Sequence, residues 1–334
     1  MNTTFAILNE TVANGTEANC TETFVSSASM ENCLKLFERC MTIACFFSTF
    51  LQVYVIRKAI KYIKRGSGDE CLHVFLLSMT LGDILLTSFC YPIEQMREQQ
   101  LINPPTWVNI CQHFLTWLGL LVSSASLILL NADKLLFFKF PLRYTNIVTS
   151  TKAMMIVVFV WVGCFLFVCL CWWLECFECN QSCRTLLIFK DKVSMYIVFT
   201  TSACILPSLT SLFVAIYIMN VVTSHRTKLS DENSNSSHAL ASRLRTFYFI
   251  FMATIFTAVT LLPYRLYNIK RQLFTDEDDS YSCLDLYYPW ILLYLVSLNA
   301  ILNPLITVTV LPQYRFRWLC KVMGCATNPS PVHV

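Results

Sequence analysis

Few polar residues in this sequence could do chemistry, and each of them interrupts or ends a long apolar segment. Asp133 and Lys134 follow an almost uncharged run from Phe114 to Asn131. Asp83 and Arg265 lie inside two other apolar segments. A carboxylate or a guanidinium in apolar surroundings needs a hydrogen-bonding or oppositely charged partner. The chemistry therefore depends on the elements that bring these side chains together.

The composition is that of an integral membrane protein. Of the 334 residues, 55% are hydrophobic and only 14% are charged, whereas a soluble domain has about 25% charged residues. The mean hydropathy is +0.54. Because the apolar segments are too long and too little alternating for the strands of a membrane barrel, the sequence predicts membrane-spanning helices.

Seven apolar segments approach the roughly 20 residues that a helix needs to cross a bilayer. They predict an all-α membrane protein, a bundle of seven transmembrane helices whose two ends lie on opposite sides of the membrane. The segments are 40–60, 72–93, 111–132, 153–174, 194–222, 246–268 and 288–311.

Charge asymmetry orients this bundle. The loops 57–71, 133–152 and 222–245, together with the residues from 312 onward, contain 16 Lys and Arg against 5 Asp and Glu. The opposite side contains 8 basic against 15 acidic residues. Because basic loops stay in the cytosol, we expect a multi-pass plasma-membrane protein with its amino terminus outside and its carboxyl terminus in the cytosol.

Glycosylation sequons agree with this orientation. Asn-x-Ser/Thr sequences, the acceptors of N-linked glycans, lie in the amino-terminal segment and in one loop that is predicted to be extracellular. They predict glycosylation at Asn2, Asn9, Asn14, Asn19 and Asn180.

Cysteines on the predicted outer side are expected to form disulfides, because disulfides persist in an oxidising compartment. The sequence "CFECNQSC", with Cys176, Cys179 and Cys183, could alternatively bind zinc. It contains no histidine and lies on the oxidising side, which favours disulfides. Their connectivity is left open by the sequence.

The polar residues of these segments resemble, in order, the motifs of rhodopsin-like G-protein-coupled receptors. Asp133-Lys134 and the Pro-Leu-Arg-Tyr that follows are similar to that family's Asp-Arg-Tyr motif and second intracellular loop. The resemblance covers residues 35–325. The other matches, in the second and the fourth to seventh spans, are Asp83 in "LSMTLGD", Trp161, Pro207, Pro263, and Asn299, Asn303 and Pro304 in "LNAILNPLI".

The sequence departs from the family pattern at residues of the activation switch. Such departures indicate a divergent, invertebrate, nematode-like branch of the family. They are Lys134 for the family's arginine, Leu135 for its tyrosine, Thr260-Leu261 for its Cys-Trp, Thr307 for its last tyrosine, and Gln52 near its first-span asparagine.

The resemblance implies a sodium site in the centre of the bundle. A charged carboxylate at mid-membrane costs about 2.5 to 3.5 kcal/mol on insertion scales, so Asp83 needs partners. The residues that lie near its depth and resemble the family's sodium site are Ser123, Asn299 and Asn303. The alternative is a protonated Asp83 that only hydrogen-bonds the two asparagines. Beyond this sodium ion, no cofactor is expected.

The resemblance also implies how the bundle is extended and tied. We expect residues 1–39 to form an extracellular tail, 40–311 the bundle, and 312–334 a short amphipathic eighth helix and cytosolic tail. The family pattern implies a disulfide from Cys111 to the second extracellular loop. Cys111 lies two residues closer to Asp133 than that pattern has it.

The predicted ligand site lies at the outer ends of the third and sixth spans. Thr116 occupies the position at which the family's amine receptors have an aspartate, so a small biogenic amine is not expected. Arg265, with Tyr264 and Asn268 nearby, is expected to bind an anionic group of the ligand. Glu94 is the expected counter-charge in the empty site. Alternatively, Arg265 extends to the membrane surface.

The sequence therefore predicts a receptor in which an extracellular ligand shifts the bundle and opens its inner side to a heterotrimeric G protein. A neuropeptide is the leading ligand, and a small molecule bound by a chemosensory receptor is the alternative. A seven-helix transporter is disfavoured because paired half-repeats are missing. An enzyme is not expected, because "GSGD" at 66–69 has no partner aspartate.

Asp133, Lys134, Asn303 and Pro304 are the expected residues of the G-protein switch. Because Lys134 would face Arg243 of the sixth span, we expect no ion pair between those two spans and expect Lys134 to pair with Asp133. Arrestin and membrane lipid are further expected partners, whereas nucleic acid is not.

Overall fold

The computed structural model describes residues 27–66, 69–140, 144, 148–180, 183, 185–188, 193–201, 205–229, 234–274 and 283–316. The sequons at Asn2, Asn9, Asn14 and Asn19 lie outside these residues. Residues 317–334, the larger part of the segment 312–334 expected to form the eighth helix and tail, also lie outside them. Within the described part, long helices cover the predicted apolar segments.

Seven helical spans form the bundle, and the predicted class of fold is confirmed. Among the described residues, six helices are long and apolar enough to cross a membrane, and the fifth span contains a shorter apolar helix, Ser208–Tyr217. The helices of the spans, in order, are Ser27–Arg65; Glu70–Leu85, Leu86–Cys90 and Tyr91–Glu98; Thr106–Lys139; Ser150–Trp173; Val193–Thr200 and Leu206–Leu229; Ser234–Phe274; and Cys283–Val310.

The two ends of the bundle are distinguished by their charged residues. We call the end that carries Asp133 and Lys134 the inner end, and the opposite end the outer end. The first helix begins at Ser27, well before the predicted apolar segment, so it includes part of the segment expected as an extracellular tail. The third helix continues past Lys134 to Lys139.

The second span changes pitch near its outer end. Pro92 lies at the start of the helix Tyr91–Glu98 and has no N–H to donate to the preceding turn. The backbone Leu86–Cys90 forms a π turn, in which the N–H of the next residue, Tyr91, donates to the Leu86 carbonyl. The extra residue in this turn rotates the outer part of the span relative to the part that carries Asp83.

Two glycines let the second and third spans approach each other closely. A Cβ added to Gly82 would lie 3.0 Å from the Gly119 carbonyl oxygen, and one added to Gly119 would lie 2.9 Å from the Gly82 carbonyl oxygen. Small residues of this kind permit close helix crossings in membranes. The crossing also places the Ser123 backbone against Gly82, one residue from Asp83.

A buried aromatic cluster fixes the chain after the seventh span at the inner end. Tyr314 is fully buried in the 3-10 turn Pro312–Tyr314. Its hydroxyl lies 2.7 Å from His73 Nδ1, and Tyr62 stacks on the His73 ring with centroids 5.0 Å apart. The first and second spans are thereby tied to the turn that follows the seventh.

A short antiparallel hairpin follows the fourth span at the outer end. Its strands are Phe177–Asn180 and Thr185–Ile188. Phe177 is buried and stacks on Trp117 of the third span, with ring centroids 5.4 Å apart. Asn180, the sequon residue of this loop, ends the first strand and is half-buried. The hairpin is thus held against the third span by aromatic packing.

Replacing Gly119 by alanine is expected to destabilise the bundle, because the added methyl group would lie 2.9 Å from a backbone oxygen. Overpacking of this kind costs about 1 to 3 kcal/mol. Gly163→Ala is the matched control, since a Cβ at Gly163 meets nothing within 4 Å. We expect Gly119→Ala alone to lower the thermal unfolding midpoint in detergent. Equal midpoints for the two variants would contradict the close crossing.

Candidate functional site

Asp83 lies in the interior of the bundle and is hydrogen-bonded from two other spans. It is 1% exposed. Ser123 of the third span donates to Asp83 Oδ1 over 2.6 Å, and Asn303 of the seventh span donates to Oδ2 over 2.9 Å. Asn303 also donates to Asn299 Oδ1 over 3.3 Å. The structure therefore brings together the four residues that were expected at one depth.

Hydrogen bonds extend this cluster to the sixth and first spans. The Asn299 amide donates to the hydroxyls of Thr257 and Thr260 of the sixth span, over 3.0 Å each. Gln52 of the first span donates to a seventh-span carbonyl over 3.1 Å and accepts a 2.6 Å hydrogen bond from Thr87 of the second span. Polar contacts thus connect the first, second, third, sixth and seventh spans.

The oxygen atoms of the side chains in the Asp83 cluster could coordinate a hard cation. Asp83 has carboxylate oxygens, Ser123 a hydroxyl, and Asn299 and Asn303 amide oxygens, and such cations prefer oxygen ligands. Asn303 Oδ1 is buried and accepts no hydrogen bond from the described residues. The residues therefore fit a sodium ion chemically, and the groups that would hold it are those of Asp83, Ser123, Asn299 and Asn303.

Lys134 lies between two carboxylates at the inner end. Its Nζ is 3.0 Å from Asp133 Oδ2 and 3.0 Å from Asp69 Oδ1. The Tyr144 hydroxyl donates to the other carboxylate oxygen of Asp133, over 2.6 Å. Burial and then this hydrogen bond raise the pKa of Tyr144 above its usual range, so the phenol keeps the proton that it donates.

The expected pair between Lys134 and Asp133 is present, and Asp69 joins it from the start of the second span. The other expected switch residues lie elsewhere. Asn303 belongs to the Asp83 cluster, and Pro304 is buried beside it in the seventh span. The side chain of Arg243 lies outside the described part of the chain.

A cavity lies between the third, fifth and sixth spans towards the outer end. Arg265 lines it and is 7% exposed. The guanidinium carbon is 5.2 Å from the centre of the Trp117 ring and 5.7 Å from that of Tyr264. These distances are typical of cation–π contacts. Leucines and serines of the three spans, among them Ser124 and Ser208, complete the lining.

The other expected ligand-binding residues surround this cavity at different distances. Tyr264 is buried next to Arg265, and Asn268 is half-buried one helical turn further out. Thr116 donates to a carbonyl of its own helix over 2.8 Å and is not part of the lining. Arg265 is buried whereas Lys270 is exposed, so Arg265 does not extend to the membrane surface.

The residue expected to neutralise Arg265 lies beside another arginine. Glu94 interacts electrostatically with Arg97, three residues further along the second span. Arg97 is buried and donates to the side chains of Asn109 and Gln112 in the third span, over 3.1 Å each. The π turn rotates this part of the second span, so the spacing of residues did not predict the placement of Glu94.

The cysteines of the outer loop form a local disulfide. Cys179 is bonded to Cys183, whereas Cys111 and Cys176 are free thiols. The prediction of a disulfide from Cys111 to this loop is therefore wrong. Two residues turn a helical side chain by about 200°, so the displacement of Cys111 from the family's position changes the direction it faces. A 3.1 Å hydrogen bond between His113 Nε2 and the Cys183 carbonyl oxygen ties the third span to the loop instead.

The seven helices, the polar cluster at Asp83 and the sequence motifs agree with one known family. Residues 63–306 match the model of the 7 transmembrane receptor (rhodopsin family). The chain belongs to this family. The resemblance inferred from the motifs is therefore confirmed. The receptor is a multi-pass membrane protein of a class that is not enzymatic.

The receptor is also similar to a nematode protein. It is 26% identical, over 332 residues, to the protein named G-protein coupled receptor aex-2 of Caenorhabditis elegans. The aligned residues make up 95% of this chain and 91% of that protein. The similarity thus extends over nearly the whole chain.

Residues at which the receptor departs from its family make polar contacts of their own. Thr260 accepts a hydrogen bond from Asn299 of the seventh span. Gln52 links the first span to the second and seventh. Thr307 donates to the Asn303 carbonyl in its own helix over 2.8 Å, so its hydroxyl is used locally. Two of the three departures therefore join different spans.

Sequence reasoning missed four residues of these sites. Trp117, whose ring contacts the Arg265 guanidinium, directly follows the expected ligand residue Thr116. Asp69 belongs to "GSGD", which was considered only as a protease-like motif. His73 is a polar residue in an apolar stretch, and Tyr314 lies in the segment that was expected to form the eighth helix.

Tyr314→Ala is expected to destabilise the receptor, because removing a fully buried aromatic ring costs about 3 to 5 kcal/mol. Tyr314→Phe keeps the ring and loses the contact with His73, at a cost of about 1 kcal/mol. Tyr217→Ala is the control, since Tyr217 is exposed. The thermal unfolding midpoint in detergent should be lowest for Tyr314→Ala, intermediate for Tyr314→Phe and highest for Tyr217→Ala. A Tyr314→Ala variant as stable as Tyr217→Ala would contradict the buried position.

Proposed function

We propose that the receptor lies in the plasma membrane with its amino terminus outside, binds a neuropeptide beside Arg265, and activates a heterotrimeric G protein at its inner end. Family membership supports an extracellular ligand and a G-protein partner in general. The basic loops and the sequons support the orientation. By this orientation the outer cavity lies in the extracellular half of the bundle.

The observation that carries the proposal is a buried arginine on the wall of the outer cavity. Aromatic faces of Trp117 and Tyr264 hold the Arg265 guanidinium. A guanidinium donates in its own plane, and this geometry matches the two oxygens of a carboxylate. Arg265 therefore supports a ligand that presents a carboxylate or another strongly accepting group.

The size of the cavity and the charge near it favour a peptide. The enclosed space of the cavity is small. It is suited to one terminus or one side chain of a longer ligand. The acidic loop "TDEDDSYS" at 275–282, which is outside the described residues, would attract basic residues of that ligand.

A small molecule is the second candidate ligand. The leucines of the lining, which include Leu120 and Leu261, offer apolar contact beside the single arginine. This arrangement suits a compact acid with an apolar body. A chemosensory receptor would use the same cavity and the same arginine.

Transmission in this proposal uses the hydrogen bonds that start on the sixth span. Leu261 and Arg265 face the cavity, and Thr257 and Thr260 of the same helix accept hydrogen bonds from Asn299. A ligand that moves the sixth span would therefore disturb the seventh span and Asp83. The ion pairs of Lys134 would then rearrange to admit the G protein and, after activation, arrestin.

We propose further that a sodium ion occupies the Asp83 cluster in the resting receptor. The ion would supply the counter-charge of the buried carboxylate. Asn303 Oδ1 supports this assignment because it is a buried acceptor without a hydrogen bond from the described residues. Rearrangement of Asn299 or Asn303 on activation would weaken the site, so sodium would favour the resting state.

A cell assay tests the receptor function. Cells that express the receptor, and cells with empty vector, are exposed to a neuropeptide library and to a library of small carboxylates while G-protein dissociation is recorded. We expect at least one peptide to activate the receptor-expressing cells alone. Responses to small carboxylates alone would replace the neuropeptide by the second candidate. A surface-expressed receptor that couples to no G protein with either library would contradict the proposal.

Arg265→Lys is expected to weaken the potency of the active ligand about tenfold or more, a loss of about 1.4 kcal/mol. Lysine keeps the charge but cannot form the bidentate contact. Lys270→Arg, at an exposed position five residues further along, is the matched control and should leave potency unchanged. Wild-type potency in both Arg265→Lys and Arg265→Ala, at normal surface expression, would remove Arg265 from the ligand site.

Asp83→Asn is expected to leave surface expression nearly intact, because a neutral amide lacks the cost of burying a charge. It should change the ligand response and abolish its dependence on sodium. Agonist potency is measured in sodium and in a large organic cation, for wild type and variant. Identical potency in both media for the wild type would rule out the ion site, whatever the variant does.

A further inference from the structure

We propose that Asp69 is a restraining residue of the switch, whose ion pair with Lys134 holds the inner end of the third span against the start of the second span. The restraint is a property of the bundle alone. Its consequence for signalling rests on the proposed G-protein function. Neither the motifs nor the family comparison assigns a role to Asp69.

The two ion pairs of Lys134 respond differently to a movement of the third span. Asp133 and Lys134 are consecutive residues of one helix, so their 3.0 Å contact is kept when that helix moves as a body. Asp69 precedes the second span, so its 3.0 Å contact with Lys134 crosses from one span to another. Separation or rotation of the two spans at the inner end would break the second contact and keep the first.

Asp69 is itself held in place. Gly66, in a turn directly after the first helix, has a φ of 65°, a left-handed conformation that glycine adopts without strain. The Asp69 carbonyl accepts a 3.4 Å hydrogen bond from the His73 N–H. His73 is in turn fixed by its 2.7 Å contact with Tyr314. Asp69 therefore links Lys134 to the part of the second span that packs on Tyr314 and Tyr62.

Partial burial strengthens the ion pair between Lys134 and Asp69. The side chain of Lys134 is 8% exposed, and that of Asp69 is 36% exposed. Water and salt screen such a pair less than a fully exposed one. Because Asp133 remains beside Lys134 when Asp69 is neutralised, the expected effect is moderate, about fivefold in the equilibrium between resting and active states.

Glu70 offers a matched control for Asp69. It carries the same charge, follows Asp69 in the sequence and is half-buried. Its carboxylate lies near the turn, since a Cβ added to Gly66 would be 3.4 Å from Glu70 Oε1. Among the described residues, the ion pairs of Lys134 are those with Asp69 and Asp133. Neutralising Glu70 therefore changes the local charge without removing the restraint.

The restraint is tested first without a G protein. In the full-length receptor in detergent, acetylation of Lys134 by an amine-reactive reagent is followed by mass spectrometry and normalised to the exposed Lys270. We expect Asp69→Asn to raise the rate at Lys134 about fivefold, because one of its two ion pairs is lost. Glu70→Gln should keep the wild-type rate. Equal rates in Asp69→Asn and wild type would overturn the proposal.

Signalling without ligand tests the consequence in cells, at matched surface levels and with G-protein dissociation as the readout. Asp69→Asn should raise this basal activity about fivefold, and Glu70→Gln should leave it unchanged. In a Lys134→Gln background, Asp69→Asn should add nothing, because the partner is already gone. An equal rise in that background, or wild-type activity in Asp69→Asn, would overturn the role in signalling.

The two measurements separate the restraint from the proposed function. If Asp69→Asn accelerates acetylation of Lys134 while the wild type and every variant are silent towards all G proteins, the restraint stands and the G-protein function is refuted. If both measurements match the wild type, Asp69 has no restraining role.

Discussion

The structure of this receptor depends on one carboxylate buried inside a membrane bundle. Asp83 is buried there, so its oxygens must be satisfied by the protein or by a bound ion. Ser123 and Asn303 donate to the two oxygens from different spans. These contacts fix the rotation of three helices. The crossing of Gly82 and Gly119 brings Ser123 close enough to take part. The close packing of the second and third spans is thus needed for the hydrogen bond to Asp83.

Around this centre, hydrogen bonds between small polar side chains connect the spans. Asn299 donates to threonines of the sixth span, and Gln52 joins the first span to its neighbours. Thr260 occupies the place of the family's cysteine and is part of this connection. A divergent sequence can therefore keep a family's architecture while different side chains form the hydrogen bonds between its helices. In a bilayer, any such hydrogen bond between polar side chains stabilises helix association.

The two ends of the bundle use different interactions for their charged residues. At the outer end, Arg265 rests on aromatic rings beside a cavity, and a hydrogen bond from His113 ties the third span to the loop. At the inner end, Lys134 is enclosed by carboxylates of its own helix and of the second span. The first arrangement suits recognition of an incoming group. The second suits a contact that is kept at rest and exchanged on activation.

The sequence by itself determined the bundle, because in a bilayer each apolar span must satisfy its backbone as a helix. It also determined the depth of Asp83, Asn299 and Asn303, which follows from the rise per residue. The tertiary structure decided which way side chains face. A π turn redirected Glu94, and Asp69 meets Lys134 across 65 residues of chain. Each residue turns a helix by about 100°, so such contacts depend on rotations that linear spacing does not carry.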